Sequence, residues 1–275
     1  MSSVMANNKT TNKAANKMIT QKGFAIDLKT WGPFVALVAL GLLGVLINPA
    51  FLGLDNLSNM LTRSAFIGII AIGATFVITA GGLDLSVGAM AAFIAGVMII
   101  LMNSLVEQFG AGWTTILLGI GASLLLGICA GFINGIVTTK GKIEAFIVTL
   151  GTMGIYRSLV TYLSDGGTLT LDWAVRDIYR PVYYGSFLGI TIPVWVFLAV
   201  AVIGYILLNY TRFGRYCFAI GSNEKVAEYS AIHVDRVKTL TYMLQGVCVA
   251  LATIIYVPRL GSASGATGVL WELEA

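Results

Sequence analysis

The sequence predicts an all-α, polytopic transmembrane helical bundle with a discontinuous helix and a further short helix in a cytoplasmic loop. Hydrophobic residues make up 57% of the 275 residues and charged residues only 11%, whereas about a quarter of a soluble domain is charged. Mean hydropathy is +0.86. Apolar stretches between Trp31 and Pro258 approach the roughly 20 residues that a helix needs to cross a bilayer. Because runs such as 69–80 do not alternate apolar and polar residues, we expect helices rather than a transmembrane barrel.

Two regions follow from the composition along the chain. Residues 1–30 are polar and rich in Asn, Lys and Thr, without the apolar core of a signal peptide, and predict a disordered cytoplasmic tail. Residues 31–275 predict a transmembrane domain with about seven spans. Their expected bounds are 34–47, 64–80, 87–105, 113–138, 143–163, 187–208 and 240–257.

The distribution of charge predicts the orientation of these spans. Five lysines against a single Asp27 place the tail in the cytoplasm, because positive residues collect on that side. Alternation then places the loop with Lys140 and Lys142 inside, the segment 164–186 outside, and the basic loop that begins near Arg212 inside. The net charge of +4 could suggest nucleic acid or anionic lipid as a partner, but it is scattered over loops and therefore indicates topology. Membrane lipid is an expected partner because the chain spans the bilayer, and nucleic acid is not expected.

Glycines are expected to bring two helices close together. Gly127, Gly131 and Gly135 recur every four residues and therefore share one helical face. Small residues at this spacing allow transmembrane helices to pack closely.

A glycine break precedes an isolated carboxylate. Gly81 and Gly82 interrupt an apolar stretch, and Asp84 is the only charge between Arg63 and Glu107. A carboxylate within a membrane helix is costly, so this one should lie at the break and face protein or water. Two roles remain open: Asp84 or Ser86 caps the following helix, or the carboxylate contacts substrate or takes part in gating.

A second feature lies in the basic cytoplasmic loop. Ser222 or Asn223 can cap a short helix in which Val226, Tyr229 and Ile232 form a narrow apolar stripe. This helix is too short to span the membrane. It either rests on lipid headgroups or inserts into a groove on a cytoplasmic partner.

Catalytic and metal sites are not expected. The chain has a single histidine, His233, which we expect to be solvated, and Asp84 has no visible acidic or basic mate. The dinucleotide-binding and zinc-protease motifs are absent from the sequence. A secondary transporter driven by an ion gradient remains the alternative, because it would also use a broken helix and a buried carboxylate. A membrane-embedded enzyme is a more distant one.

Both features resemble the ribose-type sugar permeases of bacterial ABC importers. The break resembles their Gly-Gly-Ile-Asp-Leu-Ser-Val-Gly signature, and the loop resembles Arg-x-Gly-Arg followed by Gly-Gly-Asn-x-x-Ala-Ala-x-x-Ser-Gly-Ile. In the loop, Ser222, Val226 and Ala231 depart from this pattern. Further similarity lies at Gly131, Asn134 and Gly135 and in 146–153. The resemblance covers nearly all of the chain after the tail.

The resemblance implies a mechanism and a set of partners. The chain would be a permease subunit in the bacterial inner membrane, paired with an identical or homologous permease, two cytoplasmic ATP-binding subunits and an extracytoplasmic sugar-binding protein. ATP would be used by the partners, and this chain would bind no cofactor. Gly81, Gly82, Asp84 and Ser86 would lie near the substrate pathway or hold its broken helix. The residues expected to couple to the ATPase are Arg212, Gly214, Arg215, Gly221, Asn223, Glu224, Ala227, Ser230 and Ile232.

The end of the sequence also resembles this family. Residues 271–275 are similar to a Tyr-Glu-Leu-Asp-Ala segment that leads into further membrane segments in the permeases. We therefore expect a C-terminally truncated chain.

Overall fold

The computed structural model describes residues 28–275. The predicted tail, residues 1–30, therefore lies outside the described residues except for the start of the first helix. The described residues divide into two compact units, one that ends at Leu57 and one that comprises Ser58–Ala275. In the first unit, an α-helix is followed by a short 3-10 helix whose start is capped by Asn48, which accepts a hydrogen bond from the Ala50 N–H at 3.0 Å.

Helices dominate the described part of the chain. In order they are α1 Leu28–Ile47, the 3-10 helix Pro49–Leu52, α2 Leu54–Thr79, α3 Val87–Phe109, α4 Trp113–Thr139, α5 Ala145–Leu163, α6 Trp173–Tyr179, α7 Pro181–Tyr184, α8 Ile192–Tyr210, α9 Arg212–Ser222, α10 Glu224–Tyr229, α11 Val234–Leu260 and α12 Trp271–Glu274. Four short strands, β1 Thr168–Thr170, β2 Ser186–Phe187, β3 Ile190–Thr191 and β4 Ser262–Ser264, form the antiparallel pairs β1–β4 and β2–β3.

The all-α membrane bundle is confirmed. Within residues 28–275, six helices are long and apolar enough to cross a bilayer, namely α2, α3, α4, α5, α8 and α11. The first of the seven predicted spans corresponds to a shorter apolar helix, Trp31–Ile47.

Two local predictions were wrong. The span expected at 187–208 begins only at Ile192, because Gly189, with φ of +77°, turns the preceding residues into the β2–β3 hairpin. The segment from Arg212 to Ser222, expected to be loop, is helix α9. The Thr211 hydroxyl caps this helix by accepting a hydrogen bond from the Gly214 N–H at 3.3 Å, and Gly214 packs so closely on the Leu208 carbonyl that a side chain there would overlap with it.

The glycine face of α4 is where α11 packs. A Cβ at Gly127 would overlap with the Gly246 carbonyl, and one at Gly131 would overlap with the Tyr242 carbonyl. At Gly135 the added atom would lie 2.7 Å from Thr239 Cα. The predicted close approach is thus confirmed, and its partner is α11.

The segment after α11 folds back into the bundle. β4 pairs with β1, and Arg157 on α5 donates hydrogen bonds to the carbonyls of Gly265, at 2.7 Å, and of Thr267. Gly268 then lies directly against Gly88 at the start of α3. A Cβ added to either glycine would overlap with the carbonyl oxygen of the other. This returning segment therefore helps to enclose the first turn of α3.

Candidate functional site at the helix break

Helix α2 ends in a motif that favours a glycine. Gly81 has φ of +75°, and its N–H donates to the Ile78 carbonyl at 2.9 Å. The Gly82 N–H donates to the Val77 carbonyl at 2.8 Å. This pair of bonds is the Schellman arrangement, in which a left-handed residue closes a helix. Residues with a Cβ rarely adopt this backbone conformation, so Gly81 fixes the point at which the chain leaves the helix.

Asp84 holds the residue that precedes α3. Its Oδ1 accepts hydrogen bonds from the Ser86 N–H at 2.9 Å and from the Ser86 hydroxyl at 2.6 Å. Ser86 makes no side-chain capping bond to α3. The predicted cap was therefore wrong, since the carboxylate holds Ser86 rather than accepting hydrogen bonds from the first turn of the helix. The second predicted role, contact with substrate or gating, stays a prediction.

Asn134 completes this network from α4. Its Nδ2 donates to the Ser86 hydroxyl oxygen at 2.9 Å, and Asn134 is fully buried. Asp84 Oδ2 and Asn134 Oδ1 are also buried, and neither accepts a hydrogen bond within the described residues. Two acceptors thus remain unused beside the start of α3.

The break lies inside the bundle. Asn134 is five residues before the end of α4 at Thr139, which corresponds to about 7.5 Å of helix rise. From α11, the Tyr242 hydroxyl donates to the Leu83 carbonyl at 3.2 Å. The extended segment between α2 and α3 therefore lies between α4 and α11, and it contacts both helices away from their ends.

The predicted cytoplasmic loop packs directly on this break. A Cβ at Gly221, near the end of α9, would overlap with the Thr79 carbonyl, the last residue of α2. Ala80 follows Thr79 and belongs to a buried apolar cluster with α9, α10 and α11. We call this the loop cluster, and its members are Ala80, Cys217, Ile220, Ala227, Val234 and Val237.

Helix α10 is held on both sides. Asn223 Oδ1 accepts a hydrogen bond from the Val226 N–H at 3.1 Å, so the predicted cap is confirmed for Asn223. Glu224 forms an ion pair with Lys238 of α11 at 2.6 Å. Near the end of α10, the Ser230 hydroxyl donates to the Val226 carbonyl at 2.9 Å. The ion pair connects α10 to α11, whereas the other two bonds stabilise the ends of α10 itself.

The apolar stripe of α10 divides between two surroundings. Val226 and Tyr229 are exposed, Tyr229 to 87% of its surface. The prediction that the helix extends to Ile232 was wrong: α10 ends at Tyr229, and the positive φ of Ala231 turns the chain before Ile232. Ile232 is partly buried and packs against the loop cluster. Ala227 is buried at 3% exposure, although it was expected to take part in coupling. Its side chain therefore faces the break, and a partner on the open side of α10 would meet Val226 and Tyr229 instead.

The other predicted coupling residues lie around α9. Arg212 and Arg215 are exposed, whereas Gly214 is buried. His233 is exposed, as expected for a solvated residue. The arginines and the exposed face of α10 thus belong to one stretch of chain that the loop cluster connects to the break.

A cavity of about 250 Å³ lies between the break and this loop. Gly81 and Gly82 form one wall and Glu224 of α10 another. Its polar lining also includes Thr138 at the end of α4, Lys142 and Glu144 before α5, and Lys238, Thr241 and Tyr242 on α11. Sequence reasoning did not find this cavity, because its walls come from four separate parts of the chain.

Comparison with known proteins decides the family. Residues 56–275 match the family model described as a branched-chain amino acid transport system permease component. The chain belongs to this permease family.

The curated relatives of this permease are named for the sugars ribose, fructose and L-arabinose. It is 40% identical to the ribose import permease protein RbsC of Bacillus subtilis over 89% of this chain and 73% of the relative. It is 32% identical to the fructose import permease protein FruG of Bifidobacterium longum, over 96% and 79%. It is also 32% identical to the L-arabinose transport system permease protein AraH of Escherichia coli, over 88% and 71%. The resemblance to ribose-type sugar permeases is confirmed; no solved structure matches the chain.

Proposed function

We propose that the chain is the membrane-spanning permease subunit of an ATP-binding cassette importer that moves a monosaccharide, ribose-like or related, across the bacterial inner membrane. The observation that carries the proposal is the direct packing of the α9–α10 loop on the break, at Gly221 and Thr79. Family membership and the sugar names of the relatives support the substrate class.

The partners follow from the proposed role. Two permease chains, identical or homologous, line the path between them, two ATP-binding subunits lie on the cytoplasmic side, and an extracytoplasmic sugar-binding protein delivers the substrate. ATP is bound and hydrolysed by the partners, so this chain needs neither catalytic residues nor a cofactor. Its N-terminus lies in the cytoplasm, on the side of α9 and α10.

Movement of the ATP-binding subunits reaches the membrane helices through α10. The exposed side chains of Val226 and Tyr229 provide the docking surface. On the opposite side, Ala227 is buried in the loop cluster, to which Ala80 also belongs. Because interiors are close-packed, a displacement of α10 has to move its buried neighbours as well.

The break converts this displacement into a change at the start of α3. Gly81 allows the chain to leave α2, while Asp84, Ser86 and Asn134 hold the start of α3 against α4. The bundle then has two arrangements, and ATP binding by the partners shifts their populations by favouring one of them. Hydrolysis elsewhere thus drives this subunit between outward-open and inward-open states.

Reconstituted uptake tests the proposal. Proteoliposomes that contain the chain with its co-purified partners, ATP in the lumen and the sugar-binding protein outside should accumulate labelled D-ribose, L-arabinose or D-fructose. Uptake should stop when ATP is replaced by a non-hydrolysable analogue. Uptake that continues without ATP and follows an imposed proton or sodium gradient would instead establish the alternative, an ion-gradient-driven transporter of a small polar solute.

A further inference from the structure

We infer that the cavity between the break and α10 is a monosaccharide site on the cytoplasmic side, through which imported sugar slows its own transport. The orientation and the class of ligand rest on the proposed function. The site itself rests on the size, lining and position of the cavity.

The size of the cavity fits a small solute. Its volume of about 250 Å³ lies just below the roughly 300–1,000 Å³ of pockets for drug-sized ligands. It corresponds to the space of about eight water molecules at about 30 Å³ each.

The charges in the wall favour a neutral ligand. Lys142 and Lys238 contribute two positive charges, and Glu144 and Glu224 contribute two negative ones. Glu224 and Lys238 are already paired with each other, which leaves Lys142 and Glu144 as one charge of each sign. An ionic ligand would be attracted by one of these and repelled by the other. A neutral molecule with several hydroxyl groups can donate a hydrogen bond to the Glu144 carboxylate and accept one from the Lys142 ammonium group.

Uncharged polar groups in the wall add to this preference. Thr138, Thr241 and Tyr242 contribute hydroxyl groups, each of which can donate and accept. The buried Thr138 Oγ1 lies beside the Tyr242 hydroxyl in this wall. A ligand hydroxyl in the cavity could hydrogen-bond to this pair.

The position of the cavity connects occupancy to transport. One wall is Gly81 and Gly82, where α2 ends, and another is Glu224, the first residue of α10. A sugar that is hydrogen-bonded to both walls stabilises the arrangement in which the α9–α10 loop packs against the break. Transport requires these elements to move, so a ligand that binds only one arrangement shifts the equilibrium toward it and slows the cycle.

Equilibrium binding tests the site. The full chain in lipid nanodiscs, without the sugar-binding protein, should bind labelled D-ribose, L-arabinose or D-fructose saturably at concentrations up to about 10 mM. The double variant Lys142→Gln/Glu144→Gln keeps side-chain length and removes one charge of each sign, and it should weaken binding at least about tenfold. The matched control is Lys140→Gln, in the same loop but outside the cavity wall; its binding should equal that of the wild type.

A second variant covers the case in which the double variant folds poorly. If the double variant loses thermal stability, Thr138→Val, which removes only the buried hydroxyl from the wall, should weaken binding while melting like the wild type. Binding that neither variant changes would place the sugar elsewhere and overturn the inference.

Transport provides the functional readout. Unlabelled D-ribose in the lumen, on the ATP side, should slow initial ATP-dependent uptake by the wild type and by Lys140→Gln, but much less by the double variant. ATP-dependent uptake without any saturable binding or lumenal inhibition would refute the cavity site and leave the proposed function intact. Loss of ATP dependence itself would refute the proposed function.

Discussion

Asp84 owes its position to contacts within a few residues and to one from a distant helix. Oδ1 accepts two hydrogen bonds from Ser86, and Asn134 of α4 supports the Ser86 hydroxyl. The sequence indicates that a lone carboxylate after two glycines needs a partner, because an unpaired charge in a membrane is costly. It does not indicate Asn134 as that support, since the two residues are brought together only by the packing of α3 on α4.

Substitution of Asp84 separates its hydrogen bonding from its charge. Asp84→Asn retains an Oδ1 acceptor and should keep most of the stability, whereas Asp84→Leu leaves the Ser86 N–H and hydroxyl without an acceptor. Each buried group left unpaired costs about 1–3 kcal/mol, so the leucine variant should melt well below the asparagine variant. Thermal unfolding in detergent, followed by tryptophan fluorescence, measures the difference. Equal melting of the two variants would show that Asp84 does not hold Ser86.

Transport by the same variants addresses the second role of Asp84. A requirement for negative charge in the pathway predicts that Asp84→Asn, although stable, loses ATP-dependent uptake. Unchanged uptake by Asp84→Asn would restrict the carboxylate to its structural contacts.

Helix α10 shows how a helical element can present two opposite surfaces within six residues. Three-residue spacing correctly indicates that Val226 and Tyr229 share a face, and both are exposed. The same spacing does not determine which side of so short a helix faces the rest of the chain. Burial of Ala227 in the loop cluster depends on the position of α9, which was predicted to be loop.

Substitutions on the two faces of α10 should cause two different defects. Val226→Ala/Tyr229→Ala removes exposed apolar side chains, so it should abolish co-purification of the ATP-binding subunits while leaving the melting temperature of the chain unchanged. Ala227→Arg places a charge in the loop cluster and should lower thermal stability. Co-purification and melting curves of both variants distinguish these outcomes. Retained partners in the double alanine variant would remove this surface from the docking site.

Over the whole molecule, composition was sufficient to predict a membrane bundle, and glycine spacing was sufficient to predict a tight helix pair. The partner of the glycine face was not predictable, because α11 approaches α4 after a long intervening segment. Both strand pairs were also missed. Their strands are two or three residues long and too short for alternation to be visible in the sequence.

The α4–α11 contact should be sensitive to small increases in side-chain size. Gly131→Leu forces a side chain into the Tyr242 carbonyl and should destabilise the chain by about 3 kcal/mol, as overpacking does. Gly121→Leu on the same helix has open space around the added atom and serves as the control. Thermal unfolding of both variants tests the contact. Identical melting temperatures would mean that α4 and α11 do not touch at Gly131.

The seating of Gly268 against Gly88 has a consequence for biogenesis. The ribosome delivers α3 long before it delivers the returning segment, so the first turn of α3 enters the bilayer with one side unoccupied. Ser86 and its polar neighbours therefore depend on temporary shielding, by lipid, by water or by the insertion machinery, until synthesis has reached Gly268. The surroundings of the first turn of α3 are therefore complete only after a segment made about 180 residues later has packed against it.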